Sequence, residues 1–285
     1  MQVVGSKMYT ELEGSYYQID ILGAGFIPQI RRLLKNSVRR VVEFEKDYLG
    51  QSKVELRQAH IGAKSSQVKT KAEAIANWTN WLENNPSKIT DLDVAVADQN
   101  LIEAISKQPQ IERLTIEARK ISDLSPLRNM PNLSYLQLEE VGVDLDFSPL
   151  AKMKNLKVLH VHSRKTLRFE TMSGLKQLDG LWIGSGIDPG FVGHTIKVEN
   201  LNFLLPLKQL KRLRIDEVRP LDRDFSALLT LKNLEQAWYV YFRGQHPTPE
   251  EMAKMHPAFV GVYENRLVVE ERYSKSRALE KGSLR

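Results

Sequence analysis

One spacing of apolar residues returns along most of this chain and restricts how it can fold. Ile89, Leu92 and Val94 stand at relative positions one, four and six. The same spacing recurs at Ile111, Leu114 and Ile116, at Leu133, Leu136 and Leu138, and at Leu156, Leu159 and Val161. It continues at Leu178, Leu181 and Ile183, at Leu210, Leu213 and Ile215, and more loosely at Leu234, Ala237 and Tyr239. Successive copies start 22, 22, 23, 22, 32 and 24 residues apart. Phe259 and Val262 form a weak last copy. Internal repeats of this period indicate a solenoid.

A second pattern keeps step with the first. About eight residues before most copies lies a short apolar segment: Leu124 to Leu127, Phe147 to Leu150, Phe169 to Met172, Phe203 to Pro206 and Phe225 to Leu228. Between the two patterns sits a polar pair ending in Asn or Gln: Pro131-Asn132, Lys154-Asn155, Lys176-Gln177, Lys208-Gln209 and Lys232-Asn233. Positions four and six of an extended segment share one face. The triplet therefore predicts a strand with those residues inward. The second segment predicts a return limb, a short helix or 3-10 turn, pointing inward from the other side. One unit cannot bury both faces, so neighbours must stack into a continuous core.

With these motifs in place, residues 89–264 resemble leucine-rich repeats. The 22-residue period and the Leu-Ser-Pro-Leu return limb are similar to the bacterial, internalin-like variety. The resemblance implies an α/β fold: a curved parallel sheet with short helical or 3-10 return limbs, binding another protein on its concave face. One position departs from the family. Where an asparagine normally follows each strand, this chain has Ala97, Arg119, Val141, Arg164, Gly186, Val218 and Phe242. The turns must satisfy their backbone in another way.

Residues 1–88 read as a small α+β N-terminal domain or extended cap. Strands are expected at Tyr16 to Leu22, Arg40 to Phe44 and Val54 to Ile61, and helices from Pro28 to Arg40 and from Lys71 to Glu83. Residues 265–285 are expected to supply a cap strand, Arg266 to Glu271, and a charged tail. The ten extra residues between Ile183 and Leu210 predict a glycine-rich loop over 184–198.

The 285 residues contain no cysteine, which removes disulfides, thiolate metal sites and cysteine nucleophiles and favours a reducing compartment. No basic-then-apolar leader opens the chain, and no stretch approaches the ~20 apolar residues that span a bilayer. A cytoplasmic protein is expected, with a secreted effector lacking a cleavable signal as the alternative; no membrane role is expected. The net charge of +6 is mild for the length and does not by itself indicate nucleic acid.

Strand positions three, five and seven point away from the core. Across neighbouring strands they bring Tyr135, His160, His162, Trp182, Arg212, Arg214 and Trp238 onto one face. Tyr, Trp and Arg are the residue types that dominate binding hot spots. Acids gather toward the other end of that face at Asp91, Asp93, Glu117, Glu139 and Glu140, so the surface is expected to be charge-polarised. These seven residues are the candidate partner-binding site, and the partner is expected to be a protein.

Two further readings compete. Arg31, Arg32, Lys35, Arg39 and Arg40 on one helix would suit a nucleic-acid backbone. An enzyme in the N-terminal region would have only His60 and the scattered acids Asp20, Glu43, Glu45 and Asp47. His160 and His162 with Glu139 offer two imidazoles and no third nitrogen ligand, so no metal is expected, and no cofactor. No catalytic residues stand out, and the chain reads as a binding module rather than an enzyme.

Overall fold

A computed structural model describes residues 39–42, 44–56, 71–184, 195–267 and 271. The strands read from the repeated triplets form. β1 (Arg40–Val41), β2 (Lys53–Leu56), β3 (Asp91–Val94), β4 (Arg113–Glu117), β5 (Tyr135–Glu139), β6 (Val158–His162), β7 (Gly180–Gly184), β9 (Arg212–Asp216) and β11 (Gln236–Tyr239) make one nine-stranded sheet in that order. Each described neighbour pair is parallel, and the register matches the triplets: Leu114 opposes Leu136, which opposes Leu159, which opposes Leu181, which opposes Leu213. The fold is a leucine-rich-repeat solenoid.

The limbs between strands vary with their sequence. Helix α1 (Lys71–Asn84) precedes β3, and helix α2 (Gln99–Ile105) follows it. Asp98 caps α2 by accepting from the Leu101 N–H at 2.9 Å. Later limbs are 3-10 turns: Ser125–Asn129, Ser148–Lys152, Phe169–Gly174, Asn202–Leu204 and Ser226–Thr230. Their entry has a local cause. Asp123, Asp146 and Asp224 each accept from the N–H two residues on, at 2.8 Å, which bends the chain into the turn. In the first two the next residue is proline, whose missing N–H costs nothing at a helix start.

The polar pairs have a structural role. Asn155 donates to the Pro131 carbonyl at 2.7 Å, Gln177 to Leu150 at 2.9 Å and Asn233 to Lys208 at 2.8 Å. Each ties one coil to the carbonyl of a preceding coil. The turns after the strands, which lack the family's asparagine, are satisfied chiefly by backbone bonds between coils, such as Ala118 N–H to Glu139 O and Ser163 N–H to Gly184 O. Ser163 adds a buried hydroxyl bond to the Val141 carbonyl at 2.9 Å.

One core cluster runs from Val42 to Val262, with Leu136 and Leu159 fully buried. The strands expected before residue 89 form over Arg40–Val41 and Lys53–Leu56, and they join the same sheet as the repeats. The strand expected at Tyr16 to Leu22 lies outside the described residues. Within the long insertion, residues 185–194 also lie outside them, while β8 (Ile196–Val198) pairs in parallel with β10 (Val218–Pro220) as a separate two-stranded sheet.

The C-terminal expectation is corrected. Instead of a cap strand from Arg266, residues 260–267 are helical. They follow helix α3 (Pro249–Met255), which carries a Thr248/Glu251 capping box, and a 3-10 turn, Pro257–Phe259. Phe259 and Val262 are both buried, but as helical neighbours three apart and not as another strand copy. Tyr239 meets Phe259 with ring centroids 6.3 Å apart and donates its hydroxyl to Met252 Sδ at 3.1 Å, so these segments close the core beyond β11.

Leu159→Ala should lower the unfolding free energy by roughly 2–5 kcal/mol, because the stacked coils cannot collapse into the space left. Asn155→Ala should cost about 1 kcal/mol through one lost hydrogen bond. Urea unfolding of both variants checks this ordering; a Leu159 variant as stable as the parent would mean the strand register is wrong.

Candidate functional site

The sheet's outward face carries the seven candidate residues where the alternation placed them. In-register pairing sets Gln137 beside His160, His160 beside Trp182, Trp182 beside Arg214 and Arg214 beside Trp238. Parallel strands lie ~4.8 Å apart, close to the thickness of two flat groups in contact. The side chains use that match. His160 stacks on Trp182 with centroids 4.0 Å apart and planes 7° from parallel. The Arg214 guanidinium covers the other face of Trp182, 3.9 Å from its centroid. Trp182 is thus held between an imidazole and a cation.

Asp216 locks this stack from below. It accepts from Trp182 Nε1 at 2.7 Å, pairs with Arg214 and accepts from the Trp238 indole. Burial pushes its carboxyl above the usual range, opposed by the Arg214 charge and then by the hydrogen bonds from Arg214, Trp182 and Trp238. A glycine on the neighbouring strand makes room for it. Gly184 lies directly opposite in register, and a Cβ there would come within 2.7 Å of the Asp216 Cβ and carbonyl oxygen. Sequence reasoning missed Asp216 as an organiser. The available signal was an acid at position seven, flanked on both sides by strands carrying tryptophan at position five.

The structure sorts the seven residues by exposure. Trp182, Trp238, Arg212 and His162 are partly exposed, whereas Tyr135, His160 and Arg214 are buried at 5%, 8% and 2% exposure. Buried members can support a surface but present little of it. Arg212 lies between Gly180 and Gln236 in register. Its Nε is buried and has no hydrogen-bond partner among the described residues.

The other half of the face is wired differently. Arg113 lies 3.9 Å over the Tyr135 ring. The Tyr135 hydroxyl donates to Gln137 at 2.7 Å, and Gln137 donates to Glu139 at 2.8 Å. Arg39 donates to Asp91 at 2.8 Å and to Asp93 at 2.7 Å. The expected acidic end is therefore substantially neutralised by arginine. Burial still raises the Asp93 carboxyl to about 6, opposed by Arg39 and reinforced by Glu55, Glu139 and Asp91.

Of the basic 31–40 segment, Arg31, Arg32 and Lys35 lie outside the described residues, and Arg39 is engaged by acids. His60, Asp20 and Glu43 also lie outside them. Among the described residues, no cluster of three or more His, Asp or Glu is arranged to hold a metal, and no helix is long and apolar enough to cross a membrane.

No family model matches the chain, and no curated protein matches it. Several solved structures are similar. An internalin from Listeria monocytogenes is 22% identical over 58% of this chain, at a TM-score of 0.41, and the chain spans only 43% of that protein's length. Internalin C2 from the same species is 16% identical over 84% of this chain and 85% of its own, at a TM-score of 0.37. The Arabidopsis receptor kinase HAESA ectodomain, in complex with an extended IDA peptide hormone, is 13% identical over 57% of this chain and 27% of its own, again at 0.37. The fold assignment rests on this chain's own strand register and repeat, not on these superpositions.

Burial, with His162 and Arg214 adding to it, lowers His160 from 6.5 to about 3, so its ring is neutral in the folded chain. An unfolded chain binds that proton from about pH 6.5 downward and the folded chain does not. The stability tied to neutral His160 is thus complete above pH 6.5 and is lost as pH falls toward 3, by at most ~1.4 kcal/mol per pH unit. His160→Phe keeps a flat ring in the stack and should flatten this acid limb in urea titrations from pH 7 to 4. An identical acid limb in the variant would contradict the assignment.

Proposed function

We propose that the outward face of this leucine-rich-repeat sheet is a protein-binding surface, that it is the concave one, and that the chain acts as a binding module rather than an enzyme. The observation that carries this is the sandwiched Trp182, with Trp238 on the next strand beyond Arg214, both partly exposed and both hydrogen-bonded to Asp216. A large aromatic held in one orientation loses little entropy when a partner covers it. Solvent-facing tryptophans carry a solubility penalty that a binding role would explain.

In this reading Trp182, Trp238 and Arg212 are the contacts, with His162 at the margin. Tyr135, His160 and Arg214 are the framework that orients them. Adaptor, effector and immunity-type roles all use such a surface, and the cysteine-free composition favours a reducing compartment such as the cytoplasm.

The test is comparative capture. Partners retained by the intact chain should be lost by Trp238→Ala and by Arg212→Ala, each weakening affinity by ~2 kcal/mol, roughly 30-fold. Arg212 faces away from the core, so its variant should melt near the parent temperature, whereas Trp238→Ala also removes a hydrogen bond from the buried Asp216 and should melt somewhat lower. Equal capture by parent and both variants would remove the outward face as the site.

A further inference from the structure

The polar pairs between return limb and strand are only half explained by the fold. Asn155, Gln177 and Asn233 tie coils together, but of the lysines in these pairs only Lys208 reaches a neighbouring coil. Lys154, Lys176, Lys208 and Lys232 occupy the same position on four consecutive coils. All four are exposed. Among the described residues lysine forms ion pairs at Lys107 with Glu83 and at Lys254 with Glu250, and at none of these four. Lys208 alone has a hydrogen bond, to the Thr230 carbonyl at 3.2 Å.

The stacking that builds the core also aligns this row. The four strands that follow, β6, β7, β9 and β11, are adjacent and in register. Asn155, Gln177 and Asn233 pin the backbone one residue away on three of the coils. The lysines therefore recur about every 4.8 Å, four like charges over roughly 14 Å. Such a row is self-repelling unless something anionic lies along it. Lys157 and Lys211 begin two of the same turns, while Asp179 and Glu235 begin the other two. The row occupies the flank where strands begin. The acids that start the return limbs, Asp123, Asp146 and Asp224, lie on the opposite flank.

We propose that this lysine row is a second binding surface, distinct from the outward face, which takes the phosphate backbone of a nucleic-acid duplex without reading its sequence. The chemistry favours that partner. The row is lysine alone, a point charge that suits phosphate without demanding a forked geometry. The exposed large apolar residues, such as Leu49, Leu221 and Met255, lie elsewhere in the chain. Among the described residues the row thus offers no exposed aromatic platform on which single-stranded bases would stack and no apolar wedge for a bilayer. Contacts restricted to phosphate position a protein on a duplex and carry no sequence information.

The experiment is fluorescence anisotropy of the full chain with a duplex of about 20 base pairs, titrated at several salt concentrations between about 50 and 200 mM. Neutralising four phosphates gives a slope of log K against log salt near −4, at about −0.9 per phosphate. The quadruple variant K154Q/K176Q/K208Q/K232Q should bind at least tenfold more weakly at the lowest salt and lose nearly all of that slope, about 3.6 units. A control, K46Q/K120Q/K165Q/K254Q, makes the same change of charge at exposed lysines elsewhere and should change affinity less than threefold. Circular dichroism verifies that both variants are folded. Equal losses in the two variants would reduce the row to diffuse net charge and overturn the proposal. So would absence of duplex binding at the lowest salt. Row-dependent binding to phosphatidylserine vesicles without duplex binding would overturn it in favour of a membrane surface.

Discussion

Everything in this chain depends on apolar side chains that no single coil can bury. A leucine such as Leu136 or Leu159 reaches full burial only because the coils before and after it present the same positions in register. That requirement makes the sheet parallel, fixes neighbouring strands in register and aligns every repeated position into a row. Rows on the inner side form the core. Rows on the outer side bring flat groups into face-to-face contact, because the strand spacing is near the stacking distance. The same constraint thus produces the stability and the surface chemistry.

The outer rows show how a local charge can organise a face. Asp216 is buried, yet three donors from three adjacent strands converge on it. An acid in that position is costly unless it is satisfied, and once satisfied it holds its donors still. Trp182, Arg214 and Trp238 become one unit rather than three independent side chains. At the far end, Arg39 performs a related task for Asp91 and Asp93, reaching into the sheet from just before its first strand.

Much of this was legible in the sequence, for a definable reason. The one-four-six spacing states both the strand and its inward face, so the register from Asp91 to Tyr239 could be read without coordinates. Earlier strands escaped inclusion because their triplets are broken. Val54 and Leu56 occupy positions four and six, but position one is Gln51, so the copy did not declare itself. The C-terminal helix was misread because Leu267 and Val269 alternate weakly, whereas the buried pair Phe259 and Val262 sets a helical period. Burial of His160 and Arg214 was not legible either. Alternation gives the direction of a side chain, not what settles over it. The roles of Asp216 and of Asn155 and Gln177 depend on contacts between coils, which no single repeat contains.

The closure of the core beyond β11 has a mechanical consequence. In a stack of coils each unit holds only its neighbours, so tension applied to the ends is not shared across the molecule. It travels from coil to coil, and the weakest junction opens first. Phe259 and Met252 on Tyr239 bolt one end, and Arg39 straddles β3 and reaches the Thr115 hydroxyl of β4 at the other. The coils next to these contacts are therefore held by more than their stacking on one neighbour.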